Sequence, residues 1–205
     1  MSATVTKSEK VTVAYFFSIS RKSIAFAFWS MAIDRVRSRK FTGISFSKLL
    51  GTGTGQTFTP SDADLTRWGM VVVIDKDRLD EFDQSQIVAR WRRRSNSEFR
   101  AVLQPLSSHG LWAKQNPFDF ISEQSDPNSR IAAITRARIK WNKNLIFWKS
   151  TPPVVMDLHQ SPGLITAIGI GEAPIGLQGT FSLWESAAAL RDFAYKGAAH
   201  KVAIK

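Results

Sequence analysis

Cysteine is absent from the 205-residue sequence, which excludes disulfide bonds, cysteine nucleophiles, iron–sulfur clusters and cysteine-ligated zinc. Histidine is scarce: His109, His159 and His200 are the only three, and they lie far apart along the chain. No helical HxxxH pair is therefore possible, and a three-histidine metal site would have to use all of them. These absences exclude most metalloenzyme designs.

Long hydrophobic runs are also missing. The longest apolar stretch, Ile24 to Ile33, is interrupted by Ser30 and falls short of the roughly 20 residues that span a bilayer. Residues 1–10 are polar and contain no apolar segment typical of a secretory signal. A cytoplasmic location is therefore the expectation for this chain.

Positive charge is in excess, since 28 Lys and Arg against 17 Asp and Glu give +11 at pH 7. This charge favours attraction to nucleic acid or to an anionic membrane face without choosing between them. The densest basic run, Arg90 to Arg94, is predicted to be the solvated end of a helix, with Trp91 turned towards the core. A phosphate-binding stripe is the alternative. Because no helix-turn-helix, RNA-binding strand signature or zinc finger accompanies it, a nucleic-acid partner is not expected.

Several common functional motifs are missing or incomplete. Gly51-Thr-Gly-Thr-Gly55 is not followed by Gly-Lys-Ser/Thr, so it predicts a glycine-rich connection between strands rather than a phosphate loop. The acidic residues from Asp75 to Asp83 miss the EF-hand spacing and are interpreted as structural, with Asp77 as the N-cap of a helix. No GxSxG sequence supports an esterase-type nucleophile.

Strand and helix patterns alternate along the rest of the chain. The predicted strands are Val11–Ile19, Gly43–Leu50, Trp68–Ile74, Phe99–Leu106, Ile131–Lys140, Leu164–Ile170 and Leu177–Trp184. The predicted helices are Ser23–Val36, Asp77–Arg94, Asn142–His159 and Ser186–Lys205, the last capped by Ser186. The order is β-α-β-β-α-β, then a linker, then β-α-β-β-α.

This order predicts an α+β protein in which two tandem ferredoxin-like halves form a pseudo-dimeric α/β barrel, with the last strand missing. The predicted boundaries are 1–107 for the first half, 108–129 for a linker anchored by Trp112, and 130–205 for the second half. A missing strand leaves the second sheet with an open edge. We therefore expect that the chain lacks its C-terminal end or that the sheet is completed in another way.

The last predicted helix places His200 on one stripe with Leu190, Phe193 and Gly197. Gly197 has no side chain and lies one turn before His200. It therefore leaves a shallow apolar surface beside the His200 imidazole, whose nitrogen could be a ligand. A flat macrocycle with an axial ligand needs such a surface. The same pattern also fits an ordinary surface or core histidine, and the spacing does not decide between the two.

Six segments, in order over nearly the whole chain, resemble the spheroidene monooxygenase family, the acyclic carotenoid ketolases of purple bacteria. They are Phe46–Gly55 with Phe58-Thr59, Leu106–Phe118, Ile134–Ala137, Ala167–Ile175, Gln178–Trp184 and Phe193–His200. The family continues past the final helix into a closing strand, whereas this chain ends at Lys205.

The resemblance implies a monooxygenase that contains heme b and uses O2 and an external electron donor, expected to be a ferredoxin. It would oxidise an acyclic carotenoid at C-2 by two successive hydroxylations, and loss of water from the geminal diol would leave a ketone. His200 would be the iron ligand. Arg136 would pair with a heme propionate or assist bound oxygen, and Lys48 is a second propionate candidate. Trp148 and Phe193 would line the hydrocarbon channel.

Three functions remain open from the sequence. The first is this carotenoid oxygenase, peripheral on the inner membrane and helped by its basic residues to adsorb to anionic lipid. The second is a heme enzyme of another reaction class, for example a dehydratase, acting on a small soluble substrate. The third is a non-enzymatic basic module that binds nucleic acid or an acidic partner without a cofactor. The oligomeric state is also open.

Overall fold

The computed structural model describes residues 9–56, 62–120, 126, 129–138, 155–172 and 177–196. Its strands are β1 (Lys10–Ile19), β2 (Ile44–Gly53), β3 (Ala63–Asp75), β4 (Ser95–Leu103), β5 (Ile131–Arg138), β6 (Leu164–Gly171) and β7 (Leu177–Trp184). Its helices are α1 (Ile24–Lys40), α2 (Leu79–Asp83), α3 (Gln86–Arg92), α4 (155–160) and α5 (Ala187–Lys196). None of these helices is long and apolar enough to cross a membrane.

The chain divides into two compact units. The first comprises Met1–Leu49 with Trp68–Gln124, and the second comprises Leu50–Arg67 with Ser125–Lys205. The hydrogen-bonded strand order is β4-β1-β3-β2-β6-β7-β5. The first unit contains the complete β-α-β-β-α-β sequence of a ferredoxin-like half, with its two helices after β3 counted as one helical layer. The predicted boundaries at 107 and 129 stay predictions.

The core of the first unit is centred on β1. Its residues 11–17 are all buried, because β4 and β3 pair with it on either side and helices cover it. Phe17 stacks on Trp91 of α3 with ring centroids 5.6 Å apart. The predicted inward direction of Trp91 is confirmed, since its side chain is almost fully buried. Arg92, in the same basic run, bonds Glu98 and the main chain of Asp83.

The fully buried residues of helix α1 are small or polar, although Phe26 and Met31 are partly buried against the core. Its buried positions are Ala27, Ser30, Asp34 and Ser38. The Asp34 carboxylate accepts hydrogen bonds from Arg90 at 2.5 Å and from the indole of Trp91 at 3.1 Å. One turn later, the hydroxyls of Ser38 and Ser47 lie 2.8 Å apart. Asp34 and Ser38 therefore have polar partners from α3 and β2, respectively.

Two predicted elements are wrong in detail. The glycine run that was predicted to be a connection is mainly strand, because β2 continues through Gly51 to Gly53. The helix predicted from Asp77 to Arg94 is broken into a short 3-10 turn, α2 and α3. The N-cap of α3 is Ser85, whose hydroxyl accepts from the Val88 amide, and not Asp77. The break lets α3 turn Ile87, Val88 and Trp91 into the core.

A polar cluster connects β1, α2 and β4. The hydroxyl of Tyr15, which is fully buried, donates to the Asp83 carboxylate at 2.8 Å. Arg100 bonds both oxygens of this carboxylate at 2.5 and 3.1 Å, and Arg92 approaches it at 3.2 Å. Burial, and then the hydrogen bond to Asp83, raise the pKa of Tyr15 above its ordinary range.

This raised pKa predicts a loss of stability at alkaline pH. The Tyr15 phenol stays protonated in the folded chain above the pKa of about 10 that it has when unfolded. The contribution of the protonated phenol to the free energy of unfolding is complete below about pH 10 and is lost as the pH rises above this value. Above that pH the free energy of unfolding should fall by up to about 1.4 kcal/mol more per pH unit than in Tyr15→Phe. Urea unfolding at a series of pH values measures the difference. The other tyrosine, Tyr195, is 76% exposed, and Tyr195→Phe should show the parental slope.

The second unit contains β5, β6 and β7 and the terminal residues of β2. Strand β7 pairs antiparallel with β5 and with β6, and Thr180 lies opposite both Thr135 and Gly169. Helix α5 begins after Ser186, whose hydroxyl accepts from the Ala189 amide, which confirms the predicted cap. The part of the helix predicted after residue 196, and residues 142–154 of the preceding one, lie outside the described residues.

Strand β5 is an edge strand within the described residues, where it pairs with β7 alone. In a complete ferredoxin-like half a fourth strand would lie at this edge. The predicted α+β class and the tandem ferredoxin-like halves are therefore confirmed, the second half without its last strand among the described residues. The predicted barrel is not formed by the described strands, because their sheet is open, with β4 and β5 at its two edges.

Candidate functional site

Two segments that carry the sequence resemblance pair with each other in the second unit. Gly51 and Gly53 of β2 lie opposite Gly171 and Gly169 of β6. Gly55 follows with a left-handed φ of 76°, and a Cβ there would lie 3.1 Å from the Gly169 amide nitrogen. The glycines thus allow the two main chains to approach closely, which explains why this sequence is rich in glycine.

The turn after β2 is held by a carboxylate. Asp62 accepts hydrogen bonds from the amides of Gly55 and Gln56 at 3.0 and 3.1 Å, and from the hydroxyl of Thr54. On the other side, Nε2 of His159 lies 3.3 Å from the carbonyl oxygen of Gly55. These contacts fix the end of the glycine segment beside α4.

Arg136 lies on β5 opposite Gly179 of β7. A Cβ at Gly179 would be 3.2 Å from Cγ of Arg136, so the missing side chain gives the arginine room to cross β7. Its guanidinium forms an ion pair with Glu172, at the end of β6. The two side chains are 24% and 13% exposed, which makes this a partly buried pair.

A small cavity of about 10 Å³ lies beside this ion pair. Its lining comprises Leu50, Arg136, Ile170, Gly171, Glu172, Gln178 and Gly179. The side-chain oxygen of Gln178 is buried and accepts no hydrogen bond from the described residues. The cavity has room for about one water molecule. A guanidinium, a carboxylate and an amide therefore converge on one small polar space.

The other predicted site residues are placed as follows. Lys48 lies on β2 in the first unit, with its ammonium nitrogen 5.9 Å from the centre of the Phe46 ring. Phe193 of α5 stacks on the fully buried Trp184 at 5.3 Å. His200 and Trp148 lie outside the described residues. The functional roles of all five residues, Arg136 included, stay predictions.

Glu172 and Gln178 are the residues that sequence reasoning missed. Both lie within the segments quoted for the resemblance, but neither was assigned a role there. Glu172 is an acidic residue in an otherwise apolar, glycine-rich stretch, and this isolation is the available signal. Its partner could not be identified without the register between β5, β6 and β7.

The fit of a heme was tested on these residues. A heme needs an axial ligand, a flat apolar space and cations near its propionates. Arg136 is a cation but is already bonded to Glu172, and the adjacent cavity is about the size of one water molecule. The cavity beside Arg136 is therefore too small for a heme, and a heme would have to be held elsewhere in the chain.

Comparison of the sequence with known proteins identifies relatives of this chain. No family model matches the chain. The spheroidene monooxygenase of Rhodobacter capsulatus is 35% identical over 166 residues, which are 79% of this chain and 68% of that protein. The spheroidene monooxygenase of Cereibacter sphaeroides is 34% identical over 163 residues, 78% of this chain and 50% of that protein. The chain thus spans between half and about two thirds of the length of these relatives.

A solved structure of an aldoxime dehydratase in complex with butyraldoxime is also similar. Its TM-score is 0.50 over 95% of this chain and 74% of that one, at 13% identity. At this identity the likeness concerns the fold alone, and it agrees with the α+β class described above.

Proposed function

Because this chain belongs to the spheroidene monooxygenase family, we propose that it is a monooxygenase that oxidises an acyclic carotenoid. The observation that supports the proposal is the sequence identity to the two relatives, which extends over about four fifths of the chain. The finer proposal is conversion of C-2 of spheroidene to a ketone by successive hydroxylations with O2. The electrons would come from a ferredoxin-type donor.

Heme b is the proposed cofactor, with His200 as its ligand. This part rests on the resemblance of Phe193–His200 to the family, because the cavity beside Arg136 is too small for a heme. Heme supplies oxygen activation in enzymes that carry it. The protein would supply the ligand, the orientation of the substrate and the exclusion of water.

Arg136 is the described residue with a proposed catalytic role. A guanidinium is a planar cation whose N–H groups fit a carboxylate or an oxygen atom. The ion pair with Glu172 holds Arg136 across Gly179 and beside the cavity, and there the guanidinium would act on such a group. Glu172 is then a positioning residue. Lys48 is proposed as a second cation, and Phe193 and Trp148 as apolar lining.

The direct test uses the full chain, reconstituted with heme and supplied with spheroidene, O2 and reduced ferredoxin. We expect O2-dependent formation of an oxidised carotenoid, detected by mass spectrometry, and no product without the electron donor. Omission of ferredoxin and omission of O2 are the controls. A folded, heme-loaded chain that converts no acyclic carotenoid would contradict the proposed function.

The cofactor proposal is tested separately by visible absorption. The reconstituted parent should show a Soret band that is lost or shifted in His200→Ala. His109→Ala is the matched control, because His109 is an exposed histidine and should leave the spectrum unchanged. A parental spectrum in His200→Ala would mean that another residue ligates the iron. A folded parent without any Soret band would remove heme from the proposal.

A further inference from the structure

Helix α1 exposes large apolar side chains that a surface helix normally buries. Trp29 is 72% exposed, Phe28 55%, Val36 53% and Ile33 38%. The fully buried positions are instead the small and polar residues described above, and Phe26 and Met31 are partly buried against the core. The exposure is therefore a property of the whole helix and not of one isolated side chain.

The exposed residues form a continuous stripe. At about 100° of rotation per residue, Trp29, Ile33 and Val36 fall within about 60° of each other along two turns. Ala25 and Ala32 are also exposed and border the same stripe. Phe28 lies at its side and packs edge-on against Trp68 at 5.3 Å. We call Trp29, Ile33 and Val36 the apolar stripe of α1.

The exposed charges of α1 and of the turn before it are all of one sign. The exposed charged residues of α1 and of the turn before it are Arg21, Lys22, Arg35, Arg37, Arg39 and Lys40. Asp34 is the single acidic residue of the helix, and its buried carboxylate is bonded to Arg90. The outward face of α1 thus combines an apolar stripe with six cations and no exposed carboxylate.

We propose that this face of α1 docks on an anionic lipid surface. The helix would lie in the plane of the membrane, with the apolar stripe inserted among the headgroups and the cations on lipid phosphates. Trp favours this interface because its ring is apolar and its N–H is polar. Each Lys or Arg near an anionic bilayer contributes about 1 kcal/mol of attraction. The inference does not rest on the proposed function, although a carotenoid substrate would be supplied from the same lipid bilayer.

Charge decides against a second copy of the chain as the occupant. A symmetric contact through this stripe would bring six cations of one copy towards six of the other, without exposed carboxylates on the helix to offset them. Repulsion between these like charges would weaken the contact at moderate salt. An anionic lipid surface matches both the apolar stripe and the surrounding charge.

The experiment is co-sedimentation of the full chain with phosphatidylcholine vesicles, with or without phosphatidylglycerol. Binding should require phosphatidylglycerol and weaken with added salt. The variant Trp29→Ser/Ile33→Ser/Val36→Ser should bind at least about tenfold more weakly, which corresponds to about 1.4 kcal/mol. Because these side chains face solvent, the variant should keep the parental circular dichroism spectrum.

Matched controls distinguish vesicle binding through this face from nonspecific hydrophobic adsorption and from the effect of net charge. Leu111 is 67% exposed on a loop, and Leu111→Ser should bind like the parent. Arg37→Ser/Arg39→Ser, which removes a cation on each side of the stripe, should bind more weakly than Arg93→Ser/Arg130→Ser, a pair of exposed arginines with the same change in charge.

Three results would overturn the proposal: no vesicle binding by the parent, parental binding by the triple variant, or equal losses in the two arginine pairs. An oligomeric parent that the triple variant converts to a monomer without vesicle binding would identify a second copy as the occupant. The measurement contains neither carotenoid nor O2. A chain that binds vesicles but does not oxidise a carotenoid therefore contradicts the proposed function alone. A chain that oxidises a carotenoid but does not bind vesicles contradicts only this inference.

Discussion

Asp34→Ala is expected to lower the free energy of unfolding by about 3 kcal/mol, because it removes the buried acceptor of two hydrogen bonds and the counter-charge of a partly exposed arginine. The Asp34 carboxylate is fully buried and accepts from the guanidinium of Arg90 and the indole of Trp91. Without it, the Trp91 N–H is left unsatisfied next to the core, and Arg90 loses its counter-charge. The result would show that the polar inward face of α1 holds this helix against α3.

Urea unfolding of the parent and the variant measures this loss. Asp80→Ala is the matched control, because Asp80 is an exposed aspartate on α2 and its removal should change stability by less than about 0.5 kcal/mol. A double-mutant cycle with Arg90→Ala separates the pairwise energy from the two single effects. If Asp34→Ala and Asp80→Ala unfold at the same urea concentration, the buried ion pair does not stabilise the unit.

The order of elements could be predicted from the sequence, but the direction of a helix face could not. Apolar residues at Ile24, Phe28, Met31 and Ile33 predict α1 correctly, and their spacing alone would turn Phe28 and Ile33 towards the core. The structure places both outside and Asp34 inside. An aspartate becomes the inward residue only because Arg90 and Trp91 approach from α3, a contact 56 and 57 residues away in the chain.

Strand length was underestimated for a related reason. Glycine has low strand propensity, and the glycine-rich segment Gly51–Gly55 is predicted to be a connection. In the structure Gly51 and Gly53 are strand because β6 supplies glycines opposite both of them and the main chains approach closely. A single segment cannot reveal a partner of this kind. The same applies to the break in the predicted helix, where packing of Trp91 and capping by Ser85 override a continuous helical pattern.

The candidate site was predictable in part. Arg136 was identified from its segment, but its ion pair with Glu172 depends on three strands aligned in register. Arg136, Gly179 and Ile170 form one row across β5, β7 and β6, and Glu172 follows two residues after Ile170. The local sequence pattern predicts that Arg136 lies on a strand, but it cannot predict which residues of β7 and β6 lie beside it. The resemblance therefore groups these segments without identifying the contacts between them.

The register of this row leads to the second large effect: Gly179→Ala should lower the free energy of unfolding by about 3 kcal/mol, the upper part of the range for overpacking. The new Cβ would overlap the carbonyl oxygen of Thr135 and lie 3.2 Å from Cα of Arg136. Both are main-chain atoms of β5, so no rotamer change can relieve the contact. Gly51→Ala is the control, because its Cβ would meet only the Gly171 carbonyl oxygen at 3.8 Å. It should change stability by no more than about 1 kcal/mol. Urea midpoints compare the two, and equal midpoints would mean that β5 and β7 do not pair in this register.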